Sequence, residues 1–223
     1  FYFCNAATTS EDPATMHTQT HETRDRLTPS HALDILRDGN SRFCANLKAN
    51  RDLLQQVNET CEGQWPFAVV LSCIDSRTSA ELVFDQGIGD IFSVRIAGNF
   101  LNDDILGSME FSCKVAGAKL VVVLGHSKCG AIKGACDNVE LGLLTGMLEN
   151  IQPAVAATST PADVSQRNSG NTQFVEDVAR ENVRRGVDAI PKRSAVLREM
   201  RDAGEITIVG GMYNISTGAV EFL

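Results

Sequence analysis

Four short runs of nearly uninterrupted apolar residues constrain this chain more than any other feature. They are FAVVLSC (67–73), DIFSVRI (90–96), KLVVVLGH (119–126) and EITIVGGM (205–212). Each has strand length, is rich in Val, Ile and Leu, and lacks the polar alternation of a strand with one wet face. Such runs suit parallel strands covered on both faces. The segments between them, including SAELVFDQ and DILGSMEFSCKVAGA, have helical spacing. This alternation predicts an α/β fold of the doubly wound kind. Its mostly parallel central sheet of four strands is flanked by helices and carries an N-terminal helical arm. The ending YNISTGAVEFL adds a turn at Ser216–Gly218 and a C-terminal edge strand.

Ahead of the first strand, TPSHALDILRDGNSRFCANL predicts a helix starting at Thr28 or Ser30, with apolar positions at Leu33, Leu36, Phe43 and Leu47. Gly39 is expected to break it in two, and a polar helix through Leu53, Leu54 and Val57 follows. Residues 1–26 are polar and Thr-rich without periodic apolar pattern, so they read as a flexible or surface-wrapping arm, with residues 27–223 as one domain. FYFCNA resembles the end of a leader's apolar region with a cut after Ala6, but no basic segment precedes it. A soluble protein, either cytoplasmic or exported, is expected. Segments 141–156 and 173–190 read as further helices, separated by a polar loop.

A net charge of −8 leaves no basic stripe to neutralise phosphates, and one Trp with two Tyr leaves few stacking platforms, so a nucleic-acid partner is excluded. No apolar stretch approaches the roughly 20 residues that span a bilayer. Seven cysteines are too sparse for a disulfide scaffold in 223 residues, and the count is odd. Free thiols or metal ligands are the better expectation.

The unusual residues cluster at two strand ends. One is Cys73-Ile-Asp75-Ser-Arg77; the other is Gly125-His126-Ser-Lys-Cys129-Gly130, where a strand turns into a helix. Open α/β sheets bind ligands at the carboxyl ends of their strands, so Cys73, His126 and Cys129 can converge across about 50 residues of sequence. Two cysteines and one histidine leave one tetrahedral position of a zinc ion open, as a catalytic site requires. Soft thiolates favour zinc over magnesium or calcium. A buried Cys ending a strand is, taken alone, usually core packing. GHSKCGAIKG lacks the Lys-Ser/Thr pair of a phosphate-binding loop. The two clusters together outweigh those readings.

CIDSR followed by GHSKCGAIKGA resembles the β-class carbonic anhydrases, whose signature is Cys-x-Asp-x-Arg and, later, His-x-x-Cys. The likeness runs on through ELVFDQGIGDIFSVRIAGNF and LGSMEFSCKVAGAKLVVVLGH and covers roughly residues 27–223. It implies one Zn²⁺ per chain on Cys73, His126 and Cys129, hydration of CO₂ to bicarbonate by zinc-bound hydroxide, and Asp75 and Arg77 as the catalytic pair. Arg77 would hold Asp75 ionised and oriented. Gln64, nine residues before Cys73, falls where a plant-like subgroup places a substrate-binding amide. Phe92, Ala97 and Phe111 match positions of the apolar CO₂ pocket, and for Phe111 a core role is nearly as well supported. Val70 stands where other members carry a Trp of a second, inhibitory bicarbonate site, so no such site is expected despite Arg95. A homodimer or homotetramer is implied, with the site near the subunit interface. His17, His21 and His31 offer a proton shuttle only if they fold over the site. A relative acting on COS or CS₂, and a non-catalytic zinc or nucleotide-binding module, remain alternatives at this level.

Overall fold

The computed structural model describes residues 15–223; the leader-like stretch Phe1–Ala6 lies outside them. Five strands form one sheet in the order β2-β1-β3-β4-β5. They are β1 (Ala68–Ser72), β2 (Ile91–Arg95), β3 (Leu120–His126), β4 (Thr207–Tyr213) and β5 (Val220–Phe222). The first four are parallel and β5 pairs antiparallel with β4. β1 and β3 are buried along their whole length, as their unbroken apolar runs require. β2 lies at the sheet edge and, after the buried Ile91, alternates between half-buried and exposed positions, so the two-faced covering expected for all four runs fails there.

Two apolar cores flank the sheet. One joins Val69, Leu71, Val121 and Val123 to α5 (Asp103–Glu110), α6 (Gly130–Cys136), α8 (Gln152–Ala157), α9 (Thr172–Arg193) and α10 (Ala195–Asp202). The other joins Val70, Leu120 and Val122 to α2 (Pro29–Cys44) and α4 (Ala80–Val83). Each fully buried Val or Leu contributes about 1.5–3 kcal/mol. α1 (His21–Arg26), α3 (Leu53–Glu59) and α7 (Gly142–Glu149) complete the helices.

One expectation is corrected. α2 runs unbroken through Gly39, capped by the Thr28 hydroxyl accepting from His31 N and started by Pro29. Gly39 is there for closeness: a Cβ at this position would lie 1.8 Å from the Phe84 carbonyl oxygen. Of the two readings of the arm, its described part follows the surface-wrapping one. α1 forms within it, the buried Arg24 guanidinium donates to Ala116 O, and Met16 N donates to Asn50 O at 2.8 Å.

Candidate metal centre

The chain leaves β1 for β2 on one side, then crosses back to lay β3 on the other side of β1. That reversal opens a crevice at the carboxyl ends of β1 and β3. Cys73 follows the last residue of β1, and His126 is the last of β3. Cys129 caps α6 three residues later. Among the described residues, these three form the one group of potential metal ligands whose donor atoms all lie within 4.8 Å of one another, and all three are buried.

The donor chemistry fits zinc. The sulfurs are 3.9 Å apart, against about 3.8 Å for two 2.3 Å Zn–S bonds at the tetrahedral angle. His126 Nδ1–H donates to Ser127 O at 2.9 Å, which fixes the tautomer and bares Nε2. That Nε2 is buried and has no hydrogen-bond partner among the described residues. An orphaned buried acceptor facing two thiols is costly unless something binds it. The thiols are strongly unequal. The hydrogen bonds from Cys129 and the Gly98 amide hold the Cys73 thiol below its ordinary range against the opposing effect of burial. Cys129 is pushed up by its bond to the Cys73 sulfur and by burial. Cys113 and Cys136, raised to about 12 and about 11 chiefly by burial, are inert core thiols.

Beside these three side chains, Asp75 Oδ1 accepts from Arg77 N at 3.0 Å and Nε at 2.9 Å, and Oδ2 accepts from Nη2 at 2.6 Å. The Arg77 hydrogen bonds hold this carboxyl well below the usual carboxylate range. Asp75 therefore stands next to the cluster as a fixed anion, outside the group of three potential ligands.

Residues that sequence reasoning missed hold the loop in place. Thr78 Oγ1 donates to the carbonyls of Cys73 and Asp75, at 3.1 and 2.9 Å. Arg95 bonds the same two carbonyls through Nε and Nη2, at 3.0 and 2.7 Å. Glu176 accepts from Lys128 N at 2.8 Å, which steadies the left-handed residue (φ 55°) between His126 and Cys129.

The apolar-pocket residues are spread out. Ala97 is half-buried next to Gly98, whose amide bonds Cys73. Phe92 and Phe111 meet edge to face, ring centroids 6.2 Å apart, in a surface groove between β2 and α5. The core role weighed for Phe111 is overturned: it is 52% exposed. The reason is a π-helical turn, Phe111–Val115, that points Ser112 and Cys113 inward and leaves Phe111 outward. Gln64 is exposed in a separate pocket with Thr60, Gly63 and Ile88. No metal-cluster residue lines either pocket. His17 is bonded to Glu59 and His21 to Asp25, and neither belongs to the cluster. No helix among the described residues is long and apolar enough to cross a membrane.

Residues 68–220 match the family model described as carbonic anhydrase. A carbonic anhydrase of Mycolicibacterium smegmatis is 36% identical over 196 residues, covering 86% of this chain and 92% of that protein. The crystal structure of the β-carbonic anhydrase CafA of Aspergillus fumigatus is 25% identical and superposes with a TM-score of 0.68, covering 87% of this chain and 89% of that one. A structure from work on two tetrameric β-carbonic anhydrases of Sordaria macrospora has the same fold at 22% identity, with a TM-score of 0.66 over 73% of this chain and 83% of that one.

Proposed function

This chain belongs to the carbonic anhydrase family, in its β class, and we propose that its Cys73–His126–Cys129 centre catalyses the reversible hydration of CO₂ to bicarbonate and a proton. The metal is zinc. The observation that carries the reading is the convergence of two thiols on an unpartnered imidazole nitrogen, with a carboxylate held beside them by an arginine. When bound, zinc acts as a Lewis acid that makes a water nucleophilic near neutral pH.

Two thiolates offset most of the cation's charge, so the protein must help more than a three-histidine site would. Asp75 supplies that help. It stays ionised, Arg77 occupies one side of its carboxylate, and its remaining lone pairs accept a hydrogen bond from the attacking water and orient it. Arg77 keeps Asp75 off the ligand set. Arg95 and Thr78 hold the backbone that carries both Cys73 and Asp75.

The catalytic unit is residues 27–223, working as a homodimer or larger assembly. β2 offers an unpaired strand edge, and beside it Phe111 and Val115 are 52% and 72% exposed. The tetrameric β-carbonic anhydrases of the same fold support assembly. Gln64, Phe92 and Phe111 join Ala97 as substrate-pocket residues once a second copy covers this face, since within one chain their pockets exclude the metal ligands.

Stopped-flow CO₂ hydration by metal-analysed protein tests the assignment. Fast hydration with one zinc per chain, lost in Cys73→Ser and strongly reduced in Asp75→Asn, is the expected result. A zinc-loaded protein without hydration, or variants with full activity, would overturn it.

A further inference from the structure

The amide of Gly98 donates to Cys73 Sγ at 3.3 Å. Its aim depends on an unusual stretch of backbone. Gly98 (φ 78°) and Asn99 (φ 42°) are consecutive left-handed residues, and a Cβ on Gly98 would lie 2.5 Å from Ile151 Cδ1. A non-glycine residue in this region costs about 1–3 kcal/mol and persists only when its surroundings over-determine it. The peptide joining the two residues is the point at which the turn can be gripped. Its carbonyl, Gly98 O, accepts from Asn182 Nδ2 at 2.9 Å. No other hydrogen bond reaches that carbonyl among the described residues.

Asn182 is out of place by composition. It sits on the apolar face of α9 among Val178, Ala179, Val183 and Gly186, and is only 7% exposed. A buried amide on a packed helix face is unfavourable without a partner, and a leucine there would give the face more apolar area. The one partner seen for its side chain among the described residues is the Gly98 carbonyl, 84 residues away in sequence.

Resting on the zinc reading above, we propose that Asn182 is a positioning residue that acts through Gly98. It locks the turn so that the Gly98 amide is held on the Cys73 sulfur. An N–H···S bond draws charge from the thiolate, weakens its donation to the metal and keeps the cation a stronger Lewis acid. Two thiolate ligands make this correction valuable. Outer partners of this kind typically change metal affinity or activity about 10–100-fold when removed.

The test uses the full chain with cobalt(II) or an NMR-active cadmium isotope in place of zinc. In the wild-type cadmium form, the Gly98 amide proton should show scalar coupling to the metal across the sulfur. Absence of that coupling overturns the bond itself and needs no variant to fold. In the cobalt form, Asn182→Leu and Asn182→Asp should shift the thiolate-to-cobalt charge-transfer band to lower energy. Their zinc forms should also hydrate CO₂ about tenfold more slowly, as a weaker Lewis acid would. Ile190→Val, which trims a buried α9 residue more than two helical turns beyond Asn182, should lower thermal stability without moving the band. Superimposable bands for wild type and both Asn182 variants, each holding one cobalt per chain, would overturn the proposal. A wild-type protein that binds no cobalt would overturn the metal reading, and this inference with it.

Discussion

Arg77 closes a two-point fork on Asp75 from only two residues away, with Nε on Oδ1 at 2.9 Å and Nη2 on Oδ2 at 2.6 Å, while its own backbone amide also reaches Oδ1. So local a pair needs a rigid turn. The turn is made rigid from outside, by Thr78 and Arg95 on the carbonyls of Cys73 and Asp75. The guanidinium is half exposed and the carboxylate mostly covered, at 54% and 16%. Solvent screening limits what the pair adds to stability, and its value lies in orientation.

Arg77→Lys is therefore expected to be damaging although it preserves charge, because an ammonium cannot bond both carboxylate oxygens in a fixed plane. Hydration should fall at least about tenfold in Arg77→Lys and about 100-fold in Asp75→Asn, the range typical for losing a positioned proton acceptor. Zinc content should stay near one per chain in both. Stopped-flow rates on metal-analysed variants check this. A fully active Arg77→Lys would show that the fork is dispensable.

The sequence made the candidate ligands legible because each is local to a strand end, and because thiol and imidazole carry their chemistry in the residue type. Cys73 and His126 fall at the carboxyl ends of neighbouring parallel strands, so the strand reading alone brought them together. What stayed hidden depends on contacts remote in sequence. Arg95 reaches back 22 residues to Cys73, Glu176 reaches 48 to Lys128, and Asn182 reaches 84 to Gly98. None of these polar residues sits in a motif that announces a partner. Gly39 was misread for the same reason: its local signal is helix breaking, whereas its actual constraint is the Phe84 carbonyl. The outward turn of Phe111 follows from a π-helical turn that helical periodicity does not encode.

Gly39→Ala separates these two views of glycine. Helix propensity alone would make alanine better by about 1 kcal/mol. The added methyl would instead meet backbone 1.8 Å away, and backbone cannot move aside as a side chain can. A loss of about 3 kcal/mol is expected from chemical denaturation. An alanine variant as stable as wild type would mean that α2 can slide off α4 without cost.

Phe111→Asp and Val115→Asp place charge on the exposed face next to the β2 edge while leaving both cores intact. Sedimentation should show a shift towards smaller species, with CO₂ hydration falling in parallel because the substrate pocket loses its cover. Unchanged assembly in both variants would move the interface elsewhere.

Asp90 gives a pH test with a definite sign. It is 6% exposed, Oδ2 accepts from Gly87 N at 2.7 Å, and burial raises its carboxyl above the ordinary value despite the opposing Gly87 bond and Arg51. The folded state therefore holds this proton to higher pH than the unfolded chain does. Its contribution to stability is fully present below the unfolded value and is lost as pH rises through the folded one. Asp90→Asn keeps an acceptor for the Gly87 amide and cannot ionise. It should raise the unfolding midpoint at about pH 7, and the gain should shrink towards zero as pH falls to about 4, near the ordinary carboxylate range. Thermal melts of both proteins across that interval read the difference directly. A variant that is less stable at neutral pH would mean that the Asp90 charge is used favourably in the fold, with Arg51 as the nearest source of that benefit.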